Sequence, residues 1–314
     1  MNIYESTVDY ISNQPVLKAW PEAKIILNRA ASNQPRDWRL PVLVCEAVGG
    51  KPEQSFPACA CVACALIGIL LIDDMLDDDP RGEFRRVGQA QAANFASAFL
   101  SAASQAILQS QAEPSIKLSA IQSMTQMNIS VAFGQYLDVQ NPADEAAYWC
   151  VVHTKSSPFF RSAFELGALF GGASMEVVRK IGNIGYLYGE MIQIHDDMND
   201  CMAEPANPDW TQGRFPLPIL FAQSVNHADQ HRFLELRPHI SDAEALHEAQ
   251  EILIRSGAIS YCVDQLLRKH QQARTIMAGI DLVCPDKVET LLDWVIAPVK
   301  KLLDEVGVEA ARIL

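Results

Sequence analysis

The sequence has no basic surplus. Its 314 residues hold 25 Lys and Arg against 38 Asp and Glu, a formal net charge of −13 at neutral pH. Nucleic-acid binding needs clustered Lys and Arg to neutralise phosphates, so no nucleic-acid partner is expected. Strand patterning is also missing. No stretch alternates apolar and polar residues over the length of a strand, which removes sheet folds from consideration. No Gly/Ser linker, low-complexity tract or short repeat divides the chain, so one domain over 1–314 is expected. The segment Met1 to Tyr10 carries no basic stretch followed by an apolar run, so no secretory signal is read there and the expected location is cytoplasmic. The apolar run Ala58 to Ile72 is short and ends in Asp73 and Asp74, which fits a buried helix and no transmembrane segment. Cys59, Cys61 and Cys64 have no second Cys or His cluster close in sequence. Buried thiols in a reducing compartment therefore explain the eight cysteines better than a disulfide framework or a zinc site.

Apolar residues make up 49% of the chain, enough for a sizeable core. Helical periodicity recurs throughout, punctuated by Pro and Gly. Helices are expected near 15–31, 39–48, 54–78, 85–109, 114–138, 143–170, 174–202, 216–225, 242–256, 258–278 and 286–306. Several exceed twenty residues, which suits a large all-α bundle around a central cavity. The segment 203–215, with two prolines and few apolar residues, is the expected mobile loop.

Two acidic motifs carry the chemistry. Asp73-Asp74-Met75-Leu76-Asp77 and Asp196-Asp197-Met198-Asn199-Asp200 both read D-D-x-x-D, and each ends a long apolar helix. Residues four apart on an α-helix lie on one face, so Asp73 with Asp77, and Asp196 with Asp200, present paired carboxylates one turn apart. Such pairs suit hard divalent cations. Mg2+ takes one or two carboxylates and completes its shell with water and phosphate oxygens. Carboxylates at a helix C-terminus oppose the helix dipole, a mismatch that a bound cation would relieve.

With these motifs the chain resembles the polyprenyl synthetase family of trans-isoprenyl diphosphate synthases, and the likeness extends over most of its length. Gln193 precedes the second motif as in the family's F-Q-x-x-D-D. Gly134-Gln135 with Asp138 resembles G-Q-x-x-D. Lys155-Ser156 ahead of Leu166-Gly167-Ala168 resembles the K-T segment before L-G-A. Gly213-Arg214-Phe215-Pro216-Leu217-Pro218 resembles G-K-x-T-x-P, and Arg81-Gly82 resembles a shortened R-R-G. The resemblance implies a class I isoprenoid synthase, all-α and homodimeric, with three Mg2+ ions bridging a prenyl diphosphate substrate. It implies catalytic roles for Asp73, Asp74, Asp77, Asp196, Asp197 and Asp200, with the metal on Asp73, Asp77, Asp196 and Asp200. Arg81, Lys155, Gln193 and Arg214 are the implied diphosphate ligands. The implied pocket is formed by Ala65, Gly68, Ile69, Phe99, Gln135 and Phe160. In this fold the side chains one and two turns before the first motif limit substrate length, so Ala65 and Gly68 point to C15–C20 or longer. Gly in mid-helix costs about 0.5–1 kcal/mol relative to Ala, which gives Gly68 either a pocket or a packing reason.

The acceptor half departs from the family pattern. Over Pro35 to Pro41, the Lys and Arg that would bind isopentenyl diphosphate become Asp37 and Leu40, and Leu66 stands where a His is usual. Arg36 and Arg39 substitute only after a shift of register. This favours a terpene synthase that ionises the allylic diphosphate and then cyclises or quenches the cation. Even so, the N-D-x-x-S-x-x-x-E metal motif fails at Ala203 and Asn207. The alternatives are transfer to another acceptor, as in ComQ-like enzymes, and ordinary polyprenyl diphosphate synthesis. A non-catalytic partner subunit is disfavoured because both acidic motifs are whole.

Overall fold

The computed structural model describes residues 2–141 and 143–305. Among them there is no strand; the chain is a succession of helices. Those longer than a single turn are α1 (Ile3–Ser12), α2 (Pro21–Ser32), α3 (Leu40–Ala47), α4 (Phe56–Leu76), α5 (Gln89–Leu108), α6 (Pro114–Val139) and α7 (Glu145–Val151), followed by α8 (Ser157–Phe170), α9 (Met175–Cys201), α10 (Leu217–Ser224), α11 (Gln230–Leu236), α12 (Ala243–Arg255), α13 (Ala258–Ala278) and α14 (Pro285–Glu305). The expected all-α class is what the chain adopts. Residue 306 of the last expected helix, and Pro142 of the expected break after Asn141, lie outside the described residues.

Differences from the expected boundaries have local causes. The helix read over 15–31 is interrupted because Pro21, which has no N–H, opens a new helix at its first position. The helix read over 85–109 breaks at Gly88, whose φ of 82° lies in the left-handed region. The helix read over 143–170 contains a π-turn over Val152–Ser156, closed by the Ser157 N–H on the Val152 carbonyl. Pro158 lies just beyond. It has no N–H to give, and in a regular helix its ring would press on the Thr154 carbonyl; the wider turn accommodates it. The helices α1 and α11 were not expected. In each, few side chains are buried: Thr7 and Ile11 in the first, Phe233 and Leu236 in the second.

The residues group into two compact units. Among the described residues, the first comprises 2–131, 159–185 and 277–291; the second comprises 132–141, 143–158, 186–276 and 292–305. In the first, α4 packs along α5 and against α1 and α3, with Leu27, Trp38, Phe99, Ile107 and Phe164 fully enclosed. All eight cysteines are free thiols. Cys59, Cys61 and Cys64 are buried in α4 as small core residues, and burial lifts the thiols of Cys59 and Cys61 to about 12. The stretch Pro52–Leu76 is long and apolar enough to cross a membrane by length and composition alone. However, 72% of its most apolar window is buried inside the protein, as in a core helix.

The second unit has its own core, in which Trp210, Ile219, Phe233, Leu246, Ile252 and Leu253 come together. That cluster pins the segment expected to be a mobile loop. Trp210 is buried, the Gln250 amide donates to the Cys201 and Ala203 carbonyls at 3.2 and 3.1 Å, and the Asn141 amide donates to Gly213 at 3.1 Å.

Candidate active site

In the first unit, Asp73 and Asp74 lie in the last turn of α4 and Asp77 is its C-cap. Asp78 adopts a left-handed φ of 53°, and the Asp79 N–H reaches back to the Asp74 carbonyl at 2.9 Å. This is a Schellman closure with Asp where Gly is usual. Asp73 and Asp77 are partly exposed. Half-burial and the like charges of Asp79, Asp73 and Asp77 push Asp74 up to about 6. Upstream in α4, Leu70 is exposed and Leu66 and Ile69 are partly exposed. With Asp73 they are spaced i, i+3, i+4 and i+7, one stripe of the helix leading to the carboxylates.

The remaining predicted residues of this unit fall in different places. Ala65 and Phe99 are enclosed in the interior. Phe160 is buried, edge-on to Phe159 at 5.2 Å between centroids. Gly68 faces α5. A methyl group there would sit 2.7 Å from Leu100 Cγ and 3.1 Å from the Ala96 carbonyl, so the glycine allows α4 and α5 to pack closely. Arg81 is a surface residue. Its guanidinium forms a two-point pair with Asp79, at 2.9 and 3.2 Å, and its side chain is 88% exposed.

In the second unit a different arrangement surrounds the second motif. Gly134 of α6 lets the helix lie directly on the π-turn backbone; a Cβ there would be 2.3 Å from the Lys155 nitrogen. One turn later on α6, Asp138 accepts from Lys155 Nζ at 2.7 Å and has Arg214 Nη1 at 3.8 Å. All three side chains are about four-fifths buried. Asp138 is thus flanked by two cations. The neighbouring Gln135 is buried.

The π-turn is fastened along α9. His153 Nε2 lies 2.8 Å from the buried Glu190, whose other oxygen is 2.8 Å from Lys269 Nζ. Ser156 Oγ donates to Gln193 Oε1 at 2.6 Å, and Gln193 Nε2 donates to Asp197 Oδ1 at 2.8 Å. The other Asp197 oxygen accepts the Leu217 N–H at the start of α10, at 2.8 Å. Tyr148 contributes a further interaction to this carboxylate. Burial nevertheless dominates and lifts Asp197 to about 6. Asp196 is exposed and Asp200 partly exposed, while His195 is hydrogen-bonded to Asn199 one turn on, at 2.8 Å.

Sequence reasoning located Lys155, Gln193 and Arg214 but not what holds them. The shared partner Asp138 was visible only as part of a motif. Glu190 reads as an ordinary helix residue, and a π-turn has no composition of its own; Pro158 was the only available signal. Among the described residues, no three His, Cys, Asp or Glu side chains gather closely enough to form a metal site by themselves.

Against known proteins, a polyprenyl synthetase family profile matches residues 36–253. This chain belongs to the polyprenyl synthetase family. The match contains both acidic motifs, the π-turn and Arg214, and leaves α13 and α14 beyond it. Among curated members, the short chain isoprenyl diphosphate synthase of Methanothermobacter thermautotrophicus is 26% identical over 241 residues, covering 71% of this chain and 73% of that protein. The geranylgeranyl diphosphate synthase of Methanosarcina mazei is 28% identical over 196 residues, covering 58% of this chain and 60% of its own length. Among solved structures, the polyprenyl synthase of Caulobacter crescentus, complexed with calcium and isoprenyl diphosphate, aligns with a TM-score of 0.77 at 19% identity, over 94% of this chain and 93% of that one. At that identity the likeness establishes the polyprenyl synthetase fold.

Proposed function

We propose that this chain is a Mg2+-dependent trans-prenyltransferase that lengthens an allylic prenyl diphosphate with isopentenyl diphosphate. The observation that carries the reading is the largely buried Lys155–Asp138–Arg214 cluster, two cations brought together on one carboxylate in the same unit as Asp196 and Asp200. The curated relatives are prenyl diphosphate synthases by name, which moves chain elongation ahead of the cyclisation favoured from sequence. The acceptor half also gains a candidate. Arg36 and Arg39 lie three apart in one 3-10 turn, where residues i and i+3 share a face. Leu40 is fully buried and belongs to the core. Arg36 and Arg39 are therefore the proposed holders of isopentenyl diphosphate.

The carboxylates suit Mg2+: all the donors are hard oxygens, and the like-charge crowding that raises Asp74 is what a cation would relieve. Asp73 with Asp77, and Asp196 with Asp200, would each hold such an ion. When bound, it supplies charge neutralisation of the diphosphate leaving group, worth several kcal/mol in the transition state. Lys155 and Arg214 add fixed positive charge toward the same group without reorganising, because Asp138 already holds them. Carbon–oxygen cleavage then leaves an allylic cation, which the isopentenyl double bond attacks before a proton is lost. The open apolar stripe of α4, Leu66, Ile69 and Leu70, is the proposed rest for the prenyl tail, kept from water.

A homodimer is part of this reading. Leu118, Ile129, Phe133 and Tyr136 are exposed along the single helix α6. In a chain of net charge −13, an exposed apolar stretch is where a second copy meets least repulsion. A cytoplasmic setting goes with the same proposal.

One feature favours a second reading, ionisation without elongation: Asp37 stands between the two arginines, although burial lifts its carboxyl to about 6. The deciding experiment supplies C10, C15 and C20 allylic diphosphates with and without isopentenyl diphosphate, in Mg2+ and in chelator. Longer diphosphates formed only with both Mg2+ and isopentenyl diphosphate support the proposal. Hydrocarbon or alcohol formed without isopentenyl diphosphate would establish the second reading.

A further inference from the structure

The second acidic motif contains two kinds of carboxylate. Asp196 and Asp200 reach the surface, whereas Asp197 is 6% exposed. Both oxygens of Asp197 already accept hydrogen bonds, one from the Gln193 amide and one from the Leu217 N–H, each at 2.8 Å. The other end of the Gln193 amide is taken by Ser156 at 2.6 Å. Enclosed in this way and turned to protein donors on both oxygens, Asp197 offers an ion little access.

The hydrogen bonds form a continuous chain, Ser156 to Gln193 to Asp197 to Leu217. Its two ends adjoin the two cations of the cluster. Lys155 precedes Ser156 directly, and Arg214 lies three residues before Leu217. The cations meet at Asp138, so two ties, one neutral-to-anionic and one ionic, join the π-turn to the segment entering α10.

We propose that Gln193 and Asp197 are positioning residues that set the spacing of Lys155 and Arg214, and that Asp197 ligates no metal. The proposal rests on the Mg2+–diphosphate reading above. It departs from the sequence expectation, which gave Gln193 to the diphosphate and all three Asp of the motif to catalysis.

Asp197→Asn separates the alternatives. With Asn, the Gln193 amide can turn over, donate to Ser156 and accept from the new amide, while the Leu217 N–H keeps its oxygen. The chain of hydrogen bonds survives and only the charge is lost. Calorimetry with Mg2+ and inorganic pyrophosphate, and amide exchange at Leu217, are read on the full-length protein. Asp197→Asn is expected to keep the Mg2+ half-saturation and the pyrophosphate Kd within about threefold of wild type, since the hydrogen bonds persist. Asp197→Ala and Gln193→Leu break the chain; each is expected to raise the pyrophosphate Kd about tenfold at unchanged Mg2+ half-saturation and to speed Leu217 exchange by a similar factor. Asp196→Asn is expected to do the reverse, raising the Mg2+ requirement with Leu217 exchange unchanged. The Asp197→Ala/Arg214→Ala pair is expected to be non-additive.

A rise in Mg2+ requirement for Asp197→Asn equal to that of Asp196→Asn would overturn the proposal, as would additivity in the double variant. If Asp197→Ala does not fold, Gln193→Leu carries the same test without touching a carboxylate. Failure of the wild-type protein to bind pyrophosphate in Mg2+ would sink the proposed function. Unchanged Leu217 exchange in both Asp197→Ala and Gln193→Leu would sink the positioning role itself.

Discussion

Asp74 and Asp197 hold the same place in two copies of D-D-x-x-D, and both carboxyls are pushed up to about 6, yet their surroundings differ. Around Asp74 the helix is ending. The chain turns through left-handed Asp78, and three like charges add to the effect of half-burial. Around Asp197 the helix continues to Cys201, and a fully buried carboxylate is matched with donors from Gln193 and Leu217. The first motif gathers negative charge beside the ion pairs of Asp79 with Arg81 and of Asp78 with Arg85. In the second, the middle carboxylate is enclosed by protein donors, while Asp196 and Asp200 reach the surface. One motif spelling therefore covers two electrostatic situations.

The largest effects that could break this contrast come from the outer carboxylates. Asp73→Ala and Asp196→Ala are each expected to lower kcat/KM about 10^3-fold or more, as loss of a metal ligand removes several kcal/mol of transition-state stabilisation. Steady-state release of pyrophosphate at saturating Mg2+ measures this. Equal losses in Asp197→Asn would erase the distinction between outer and middle positions.

Next in size are two glycines that support the two regions. At Gly134 the new methyl group meets backbone, and Gly134→Ala is expected to cost about 3 kcal/mol or more in urea unfolding. Gly68→Ala meets a leucine side chain and a carbonyl, and about 1–3 kcal/mol is expected. Shorter products from Gly68→Ala at unchanged stability would return that residue to the substrate pocket.

The pH dependence sharpens the comparison further. A carboxyl raised in the folded state contributes stability that is present below its unfolded pKa near 4 and lost as pH rises through about 6. Asp197→Asn removes that loss. It is expected to gain roughly 2 kcal/mol relative to wild type between pH 4 and pH 7, read from thermal or urea unfolding in chelator. A relative stability independent of pH would show that Asp197 is not held as described.

Smallest is the contrast among cations. Lys155→Ala and Arg214→Ala are expected to raise KM for the allylic diphosphate about tenfold, as loss of a charge-assisted contact would. Arg81→Ala, which breaks an exposed pair with Asp79, is expected to change it less than about twofold. A tenfold rise for Arg81→Ala would restore that residue to the diphosphate site.

Much of this was legible in the sequence because it depends on period and spacing. The 3.6-residue pattern gave the long helices, and the i, i+4 carboxylates marked both motifs. Lys155 and Arg214 could be placed by their neighbours. What could not be read depends on tertiary neighbours. Nothing in D-D-x-x-D says which Asp faces inward; that follows from where Gln193, one turn earlier, and Leu217, twenty residues later, come to lie. Gly68 in mid-helix fits either a pocket or close packing until Leu100 is seen against it. The loop expected to move is pinned by Trp210, and a single indole in a polar stretch does not announce its burial.

The carboxylate pairs Asp73/Asp77 and Asp196/Asp200 are each proposed to hold divalent ions for a diphosphate group. Titration of inorganic pyrophosphate into the purified protein by calorimetry, with Mg2+ or with chelator, tests it most directly. Binding with Mg2+ is expected to disappear in chelator and in both Asp73→Asn/Asp77→Asn and Asp196→Asn/Asp200→Asn. Equal heats with and without Mg2+, or undiminished binding in either double variant, would contradict it.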